Sequence, residues 1–188
     1  MKQVADIETS EILKIARDAL GVPGDFVEHG CYEGDTSLLL AEVLKGTDKK
    51  LWLYDSFEGL PAKTSEDESA AGENFQEGVL AVTKREVKLR FLRANLPVPI
   101  IKKAWFADLT AADLPEKIAF AFLDGDLYQS IKESLALVWD KMAGGGVIIV
   151  HDYDNPELPG VTKAVDEWLS ARGNIKTAKK QTLLIINL

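Results

Sequence analysis

The sequence predicts an α/β domain in which a largely parallel sheet carries helices on both faces. Three observations predict it. Short apolar runs alternate with segments of helical periodicity along the chain. One run, KIAFAFLDGD, is apolar from Ile118 to Leu123, as a strand covered on both faces must be. The length, 188 residues, suits one such domain spanning 1–188.

The elements follow in order. TSEILKIARDALG places Ile12, Ile15, Ala16, Ala19 and Leu20 on one helical face, with Thr9 or Ser10 as N-cap and Gly21 as stop. GDFVEHG is a strand ending near Glu28. TSLLLAEVLKG is a helix with Asp35 or Thr36 as cap and Gly46 as stop. KKLWLYDSF is a second strand, ending at Asp55. Residues 62–78, AKTSEDESAAGENFQEG, are small, acidic and polar, the composition of a mobile loop or lid or of a plain solvated loop. VTKREVKLRFLRANL returns to helical spacing, and PIIKKAWF is a third strand. KIAFAFLDGD is the fourth. LYQSIKESLALVWDKMAGGG stripes Tyr128, Ile131, Leu135, Val138 and Met142, and glycines 144–146 end that helix. VIIVHDY is a fifth strand. PGVTKAVDEWLSARG turns Val161, Val165, Trp168 and Leu169 inward, and NIKTAKKQTLLIINL closes the chain as one or two strands, a hairpin.

Composition excludes several classes. The net charge of −8 is the wrong sign for a nucleic-acid surface or for an anionic membrane. No apolar run reaches the length of a membrane span. Met1-Lys2-Gln3 leads into a polar segment, not an apolar leader core. The single cysteine, Cys31, has no internal disulfide partner, so a cytoplasmic location is expected and the thiol reads as a buried apolar group.

In parallel sheets ligands bind at the carboxyl ends of the strands. The cofactor candidates are therefore Glu28, Gly30, Tyr32, Gly34, Thr36 and Ser37 around the first turn. Asp55, Ser56 and Phe57 follow the second strand, Trp105 and Phe106 the third, and Asp124 the fourth. Gly30 and Gly34 let the backbone turn tightly and approach a ligand. Their Gly-x-x-x-Gly spacing lacks the glycine that admits a pyrophosphate, and Glu28 at the strand end would repel one. A ligand with cationic groups and no phosphate fits better, and S-adenosylmethionine is such a ligand. Asp55 stands where an acidic residue accepts hydrogen bonds from a ribose; its plainer role is a turn cap. Trp105 and Phe106 are placed to flank an adenine, or to fill the core.

A second cluster joins Asp124 and Asp126 of FLDGDLY to His151, Asp152 and Asp154 of IVHDYD. The helix between them suits a right-handed crossover, which makes the two strands neighbours ~4.8 Å apart. Carboxylates packed that closely need a cation. These five residues are the candidates for holding an ion, with separate helix capping as the alternative.

Four segments, VEHGCYEGDTS, YDSFEGLP, FLDGDLYQSIKESL and GGGVIIVHDYDNPELPGVTKAVDEW, resemble the macrocin O-methyltransferase family of S-adenosylmethionine-dependent enzymes. Similarity also runs through NFQEGVLAVTKREV and KKAWFADLT, so that residues 27 to about 168 are covered. The resemblance implies a Rossmann-like class I methyltransferase fold with a seven-stranded sheet and a reversed last strand. It implies a divalent metal, usually magnesium, beside the cofactor, held by a carboxylate at Asp124 and an Asp-Asp pair at the fifth strand end. It implies Asp126 as general base. Here the Asp-Asp pair reads His151-Asp152. Imidazole suits softer ions than magnesium, and His151 is itself a candidate base, since its unperturbed pKa lies near neutrality. The N-terminal region carries little of the substrate-covering structure such enzymes have.

The expected activity is O-methylation of a hydroxyl on a small acceptor, a sugar or phenol of a natural product, with metal assistance. The expected partner is that acceptor, with neither nucleic acid nor membrane, and a homodimer is the assembly carried as an expectation. The rivals are a cofactor-binding module without chemistry and, against the glycine spacing, a nicotinamide-dependent oxidoreductase.

Overall fold

The structure, a computed structural model, describes residues 4–69 and 74–188. Residues 1–3, read above for a leader pattern, and 70–73, in the acidic loop, lie outside the described residues. Seven strands form one sheet: β1 (Asp25–His29), β2 (Leu51–Asp55), β3 (Ile100–Lys103), β4 (Ile118–Leu123), β5 (Met142–Val150), β6 (Lys176–Lys180) and β7 (Leu183–Asn187). Their order is β3-β2-β1-β4-β5-β7-β6. Strands β1 to β5 pair in parallel, and β7 runs antiparallel to both β5 and β6. The tail is thus the hairpin the sequence suggested, turned by Gln181 and Thr182, and β7 is the reversed strand. The outer strand β6 exposes every residue of KTAKK, and its three lysines keep an open edge from pairing with another chain.

Five main helices cover the sheet: α1 (Asp6–Asp18), α2 (Asp35–Leu44), α3 (Lys84–Arg93), α4 (Tyr128–Trp139) and α5 (Pro159–Ser170). One core layer packs Ile12, Leu40, Val87 and Phe91 from α1, α2 and α3 against Phe26, Phe120 and Phe122. The other packs Ile131, Leu135, Val161 and Trp168 from α4 and α5 against Val27, Ala121, Leu123 and Ile148. Strand β4 alternates between the two layers, which is why all six of its residues are buried.

Several boundaries differ from the sequence reading. Helix α1 starts at Asp6 with Ala5 as N-cap, so Thr9 and Ser10 lie inside the helix. Helix α2 is capped by Gly34 at φ 82°, with Asp35 and Thr36 in its first turn. Glycines 144–146 do not end α4, which stops at Trp139; they lie in β5, and Met142 with them. Opposite Ile118 and Phe120 of β4 stand Met142 and Val147, so β5 bulges there. Gly145 takes φ 83° in the bulge, and a side chain on Gly146 would meet the Ala143 carbonyl at 2.8 Å.

The acidic loop also departs from a free lid over the part described. A short 3₁₀ turn, Ser65–Asp67, docks on the starts of α4 and α5. Asp67 is 2% exposed. Its Oδ2 accepts the Thr64 N–H at 2.9 Å and hydroxyl at 2.8 Å, and its Oδ1 accepts the Tyr128 N–H at 2.7 Å. Helix α4 has no cap of its own, so a residue 61 positions earlier supplies it. Ser69 donates to the Glu157 carbonyl at 2.9 Å, and Lys163 pairs with Glu66 at 3.3 Å. Gly160 makes room for the dock, because a Cβ there would stand 1.9 Å from the Asp67 Oδ1.

Asp67→Ala and Gly160→Ala should each lower unfolding free energy by about 1–3 kcal/mol, since each removes the cap on α4. In urea melts the double variant should lose about as much as one of them, not the sum. Additive losses would mean that Gly160 does not act through Asp67.

Candidate functional site

The site is built where the order of strands reverses. The chain leaves β1 toward β2 and later returns to lay β4 on the other side of β1, so the connections after β1 and β4 part to opposite faces of the sheet and leave a crevice. Gly30 passes directly over that parting at φ 81°, and a Cβ on it would lie 1.9 Å from the Asp124 carbonyl oxygen. Only glycine permits this approach.

Asp55, at the end of β2, holds the turn in shape. Its Oδ2 accepts the N–H groups of Cys31 at 2.9 Å and Tyr32 at 3.1 Å, and its Oδ1 accepts the Phe57 N–H at 2.7 Å. A carboxylate offers about four lone-pair sites. Three are engaged by the backbone, and Asp55 also lines the cavity. Tyr32 and Phe57 take φ 43° and 54°, conformations these hydrogen bonds sustain.

The crevice opens into a cavity of about 450 Å³, a volume suited to a small organic ligand. Of the cofactor candidates, Glu28, Gly30, Tyr32, Thr36, Asp55, Ser56, Trp105, Phe106 and Asp124 line it. Three others do not. Gly34 is turned toward Val87, Ser37 is fully buried behind the turn, and Phe57 packs into the core, because the turn at Asp55 folds its ring inward. Phe106 also stacks on His29 with centroids 5.0 Å apart, so that ring serves core and cavity together.

Glu28 is 1% exposed, and its Oε2 has no hydrogen-bond partner. Burial pushes its carboxyl well above the usual range, and the nearby charges of Asp124 and Asp55 push the same way. A cationic group entering the cavity would relieve that carboxylate. Burial likewise raises the Cys31 thiol, the opposite of what a nucleophile needs. His29 is pushed down to about 3 by burial, and its ring bonds the Ser134 hydroxyl at 3.0 Å away from the chemistry.

The second cluster converges as the strand pairing predicts. Ligand atoms of Asp124, His151 and Asp152 lie within 4.8 Å of one another. The His151 Nδ1 is 2.8 Å from the Asp124 Oδ1 and 3.0 Å from the Asp152 Oδ2, and its Nε2 is 3.5 Å from the Glu8 Oε2. Burial opposes a charged imidazole, but the charge of Asp124 and the contacts with Asp124, Asp152 and Glu8 prevail and raise its pKa. The contact with His151 outweighs burial at Glu8, and with the Thr182 hydrogen bonds it brings that carboxyl down to about 2. Asp126 takes φ 60° beside the cluster. Burial raises its carboxyl well above the ordinary range, the charges of Asp124 and Asp152 add to the rise, and His151 partly counters it. Asp154 is turned out of the cluster into an ion pair with Lys179.

The donor set fits a divalent ion. One imidazole nitrogen and two carboxylates converge from neighbouring strand ends, a mixed set that suits manganese, iron or zinc better than magnesium.

Sequence reasoning missed several residues here. Glu8 reaches His151 from α1; its signal was a carboxylate on the Ile12–Ala16 stripe, one turn earlier. Asn155 donates to the Asp152 Oδ1 at 2.8 Å and lines the cavity. Phe75, in the far half of the acidic loop, and Leu80, just past its end, also line it.

The family profile described as macrocin-O-methyltransferase (TylF) matches residues 8–180. A protein of Streptomyces olivaceus, 8-demethyl-8-(2,3-dimethoxy-alpha-L-rhamnosyl)-tetracenomycin-C 4'-O-methyltransferase, is 33% identical over 141 residues, 71% of this chain and 54% of the relative. Demethyldecarbamoylnovobiocin O-methyltransferase of Streptomyces niveus is 32% identical over 168 residues, 84% of this chain and 63% of the relative. The chain thus spans less than two thirds of the length of these curated relatives. The solved O-methyltransferase NovP superposes with a TM-score of 0.83 at 28% identity, covering 96% of this chain and 78% of that one. The sheet order, the reversed β7 and this superposition make the fold that of class I methyltransferases. With the profile covering nearly the whole chain, the protein belongs to the macrocin-O-methyltransferase family.

Proposed function

We propose that this chain is an S-adenosylmethionine-dependent O-methyltransferase acting on a hydroxyl of a small molecule, a sugar or phenol of a natural product, with help from a divalent ion. The observation that carries the reading is the cavity at the switch point. It is lined by Glu28, Asp55, Asp124, Asp126 and Asp152, and among its described lining residues there is no Lys or Arg. Such a lining favours a donor with an ammonium and a sulfonium and no phosphate. It speaks against a dinucleotide, whose pyrophosphate would meet carboxylates with no counter-charge. The family relatives whose names give sugars and antibiotics as acceptors support the choice of a hydroxylated acceptor.

In this reading Glu28 and the remaining lone pair of Asp55 take the polar groups of the cofactor, while Trp105 and Phe106 flank its base. Bound there, the cofactor would supply an electrophilic methyl group, and the cavity would contribute much of the rate by holding its sulfur in line with the acceptor oxygen. Asp126 receives the hydroxyl proton. It lines the cavity two residues after Asp124, within reach of an acceptor held there. His151 is poorly placed for that task, because Nδ1 faces two carboxylates and Nε2 faces Glu8, which leaves no free nitrogen for an acceptor. Asp124, Asp152 and the His151 Nδ1 would hold the ion, which would lower the pKa of the acceptor hydroxyl.

Calorimetry tests the donor. S-adenosylhomocysteine should bind at least about 10-fold more tightly than NAD. Asp55→Ala should lose roughly 1.5–3 kcal/mol of that binding and also melt at lower temperature, because three backbone N–H groups lose their acceptor. Tighter binding of NAD would refute the reading. The ion is tested separately with Mn²⁺, read by the EPR signal of the free ion. Asp124→Asn and Asp152→Asn should each weaken binding by about 10-fold or more. Parent-like affinity in both would remove the ion from the site.

A further inference from the structure

Glu8 is buried at 6% exposure on the stripe of α1 that also buries Ile12 and Ala16. Its two oxygens have different neighbours. Oε1 accepts the Thr182 N–H at 3.0 Å and the Thr182 hydroxyl at 2.6 Å, which fixes the carboxylate against the turn between β6 and β7. Oε2 faces the His151 Nε2 at 3.5 Å. The opposite edge of the same ring presents Nδ1 to Asp124 and Asp152. The ring is therefore held between a carboxylate on one side and a carboxylate pair on the other.

We propose that Glu8 is a positioning residue for the ion site: anchored by Thr182, it stands against the Nε2 edge of His151 and holds the ring with Nδ1 between Asp124 and Asp152. The proposal rests on the divalent-ion reading above. A carboxylate behind a ligating imidazole fixes tautomer and ring orientation and makes the other nitrogen a better donor. Without Glu8 the Nε2 edge of the ring loses the carboxylate that backs it, and the ring can turn Nδ1 away from Asp124 and Asp152. Glu8 therefore keeps the imidazole in place to meet an ion. It also makes α1 and the C-terminal hairpin, neither of which contributes a ligand, part of the site.

The test is Mn²⁺ binding to the full chain by EPR, together with thermal melting. Glu8→Leu keeps similar volume and removes the acceptor. Glu8→Gln keeps an acceptor oxygen for Nε2–H. Thr182→Ala weakens the same helix-to-hairpin contact without changing the oxygen that faces His151. Glu8→Leu should bind Mn²⁺ about 10- to 100-fold more weakly than the parent, and Glu8→Gln should stay within about threefold. Thr182→Ala should melt earlier and keep the parent's affinity. Pulsed EPR should show nitrogen coupling to the ion in the parent and in Glu8→Gln, and none in His151→Asp. Parent-like affinity in a folded Glu8→Leu overturns the role of Glu8 alone. Should Glu8→Leu not fold, the nitrogen coupling in Glu8→Gln decides: kept, it supports the assignment, and lost, it overturns it. A parent that binds no Mn²⁺ overturns the divalent-ion reading and the role of Glu8 with it.

Discussion

The site depends on one close approach. At Gly30 the backbone crosses the end of β4 so tightly that a single added carbon would overlap the Asp124 carbonyl oxygen. That contact keeps the ends of β1 and β4 together at the point where the chain separates to build the two halves of the sheet. It sets Glu28, Asp55 and Asp124 around one crevice, although they come from three strands. The backbone N–H of Gly30 bonds the Tyr54 carbonyl and that of Asp124 bonds the His29 carbonyl, both at 2.9 Å, so the approach is fixed on each side by the sheet's own ladder.

The same closeness creates an electrostatic problem that the fold leaves partly open. Glu28, Asp124, Asp126 and Asp152 are brought into one poorly solvated space, and burial pushes two of them, Glu28 and Asp126, well above their ordinary range. His151 is the only basic side chain among the described lining residues. The structure therefore holds a deficit of positive charge in the cavity. A ligand that brings positive charge and no phosphate is the kind such a lining favours.

Much of this was legible in the sequence, and the reason is geometric. A strand end followed by glycine or by a carboxylate is a local pattern, and parallel strands deliver all such ends to one edge. Glu28, Gly30, Asp55, Asp124, His151 and Asp152 could be found that way. Features that depend on partners distant in the chain could not. Asp67 caps a helix 61 residues later, and nothing in TSEDES distinguishes it from its acidic neighbours. Glycines 144–146 read as a helix stop because glycine ends helices and bulges strands alike; only the register against β4 separates the two. Asp55 was assigned to a ribose because its position suggests one, yet most of its lone pairs serve the turn itself.

The bond between Glu8 and Thr182 spans 174 residues, nearly the whole chain. A ribosome releases residues in order, at about 5–20 per second, so Glu8 waits on the order of ten to thirty seconds for its partner. Until then the helix that carries it has a buried position for a charge and nothing to receive it. Strands β1 to β4 can assemble as they emerge, each beside one already made. The contact of Glu8 with Thr182 cannot form until that hairpin arrives, so during synthesis the parallel strands come first and the cluster around His151 is completed after them.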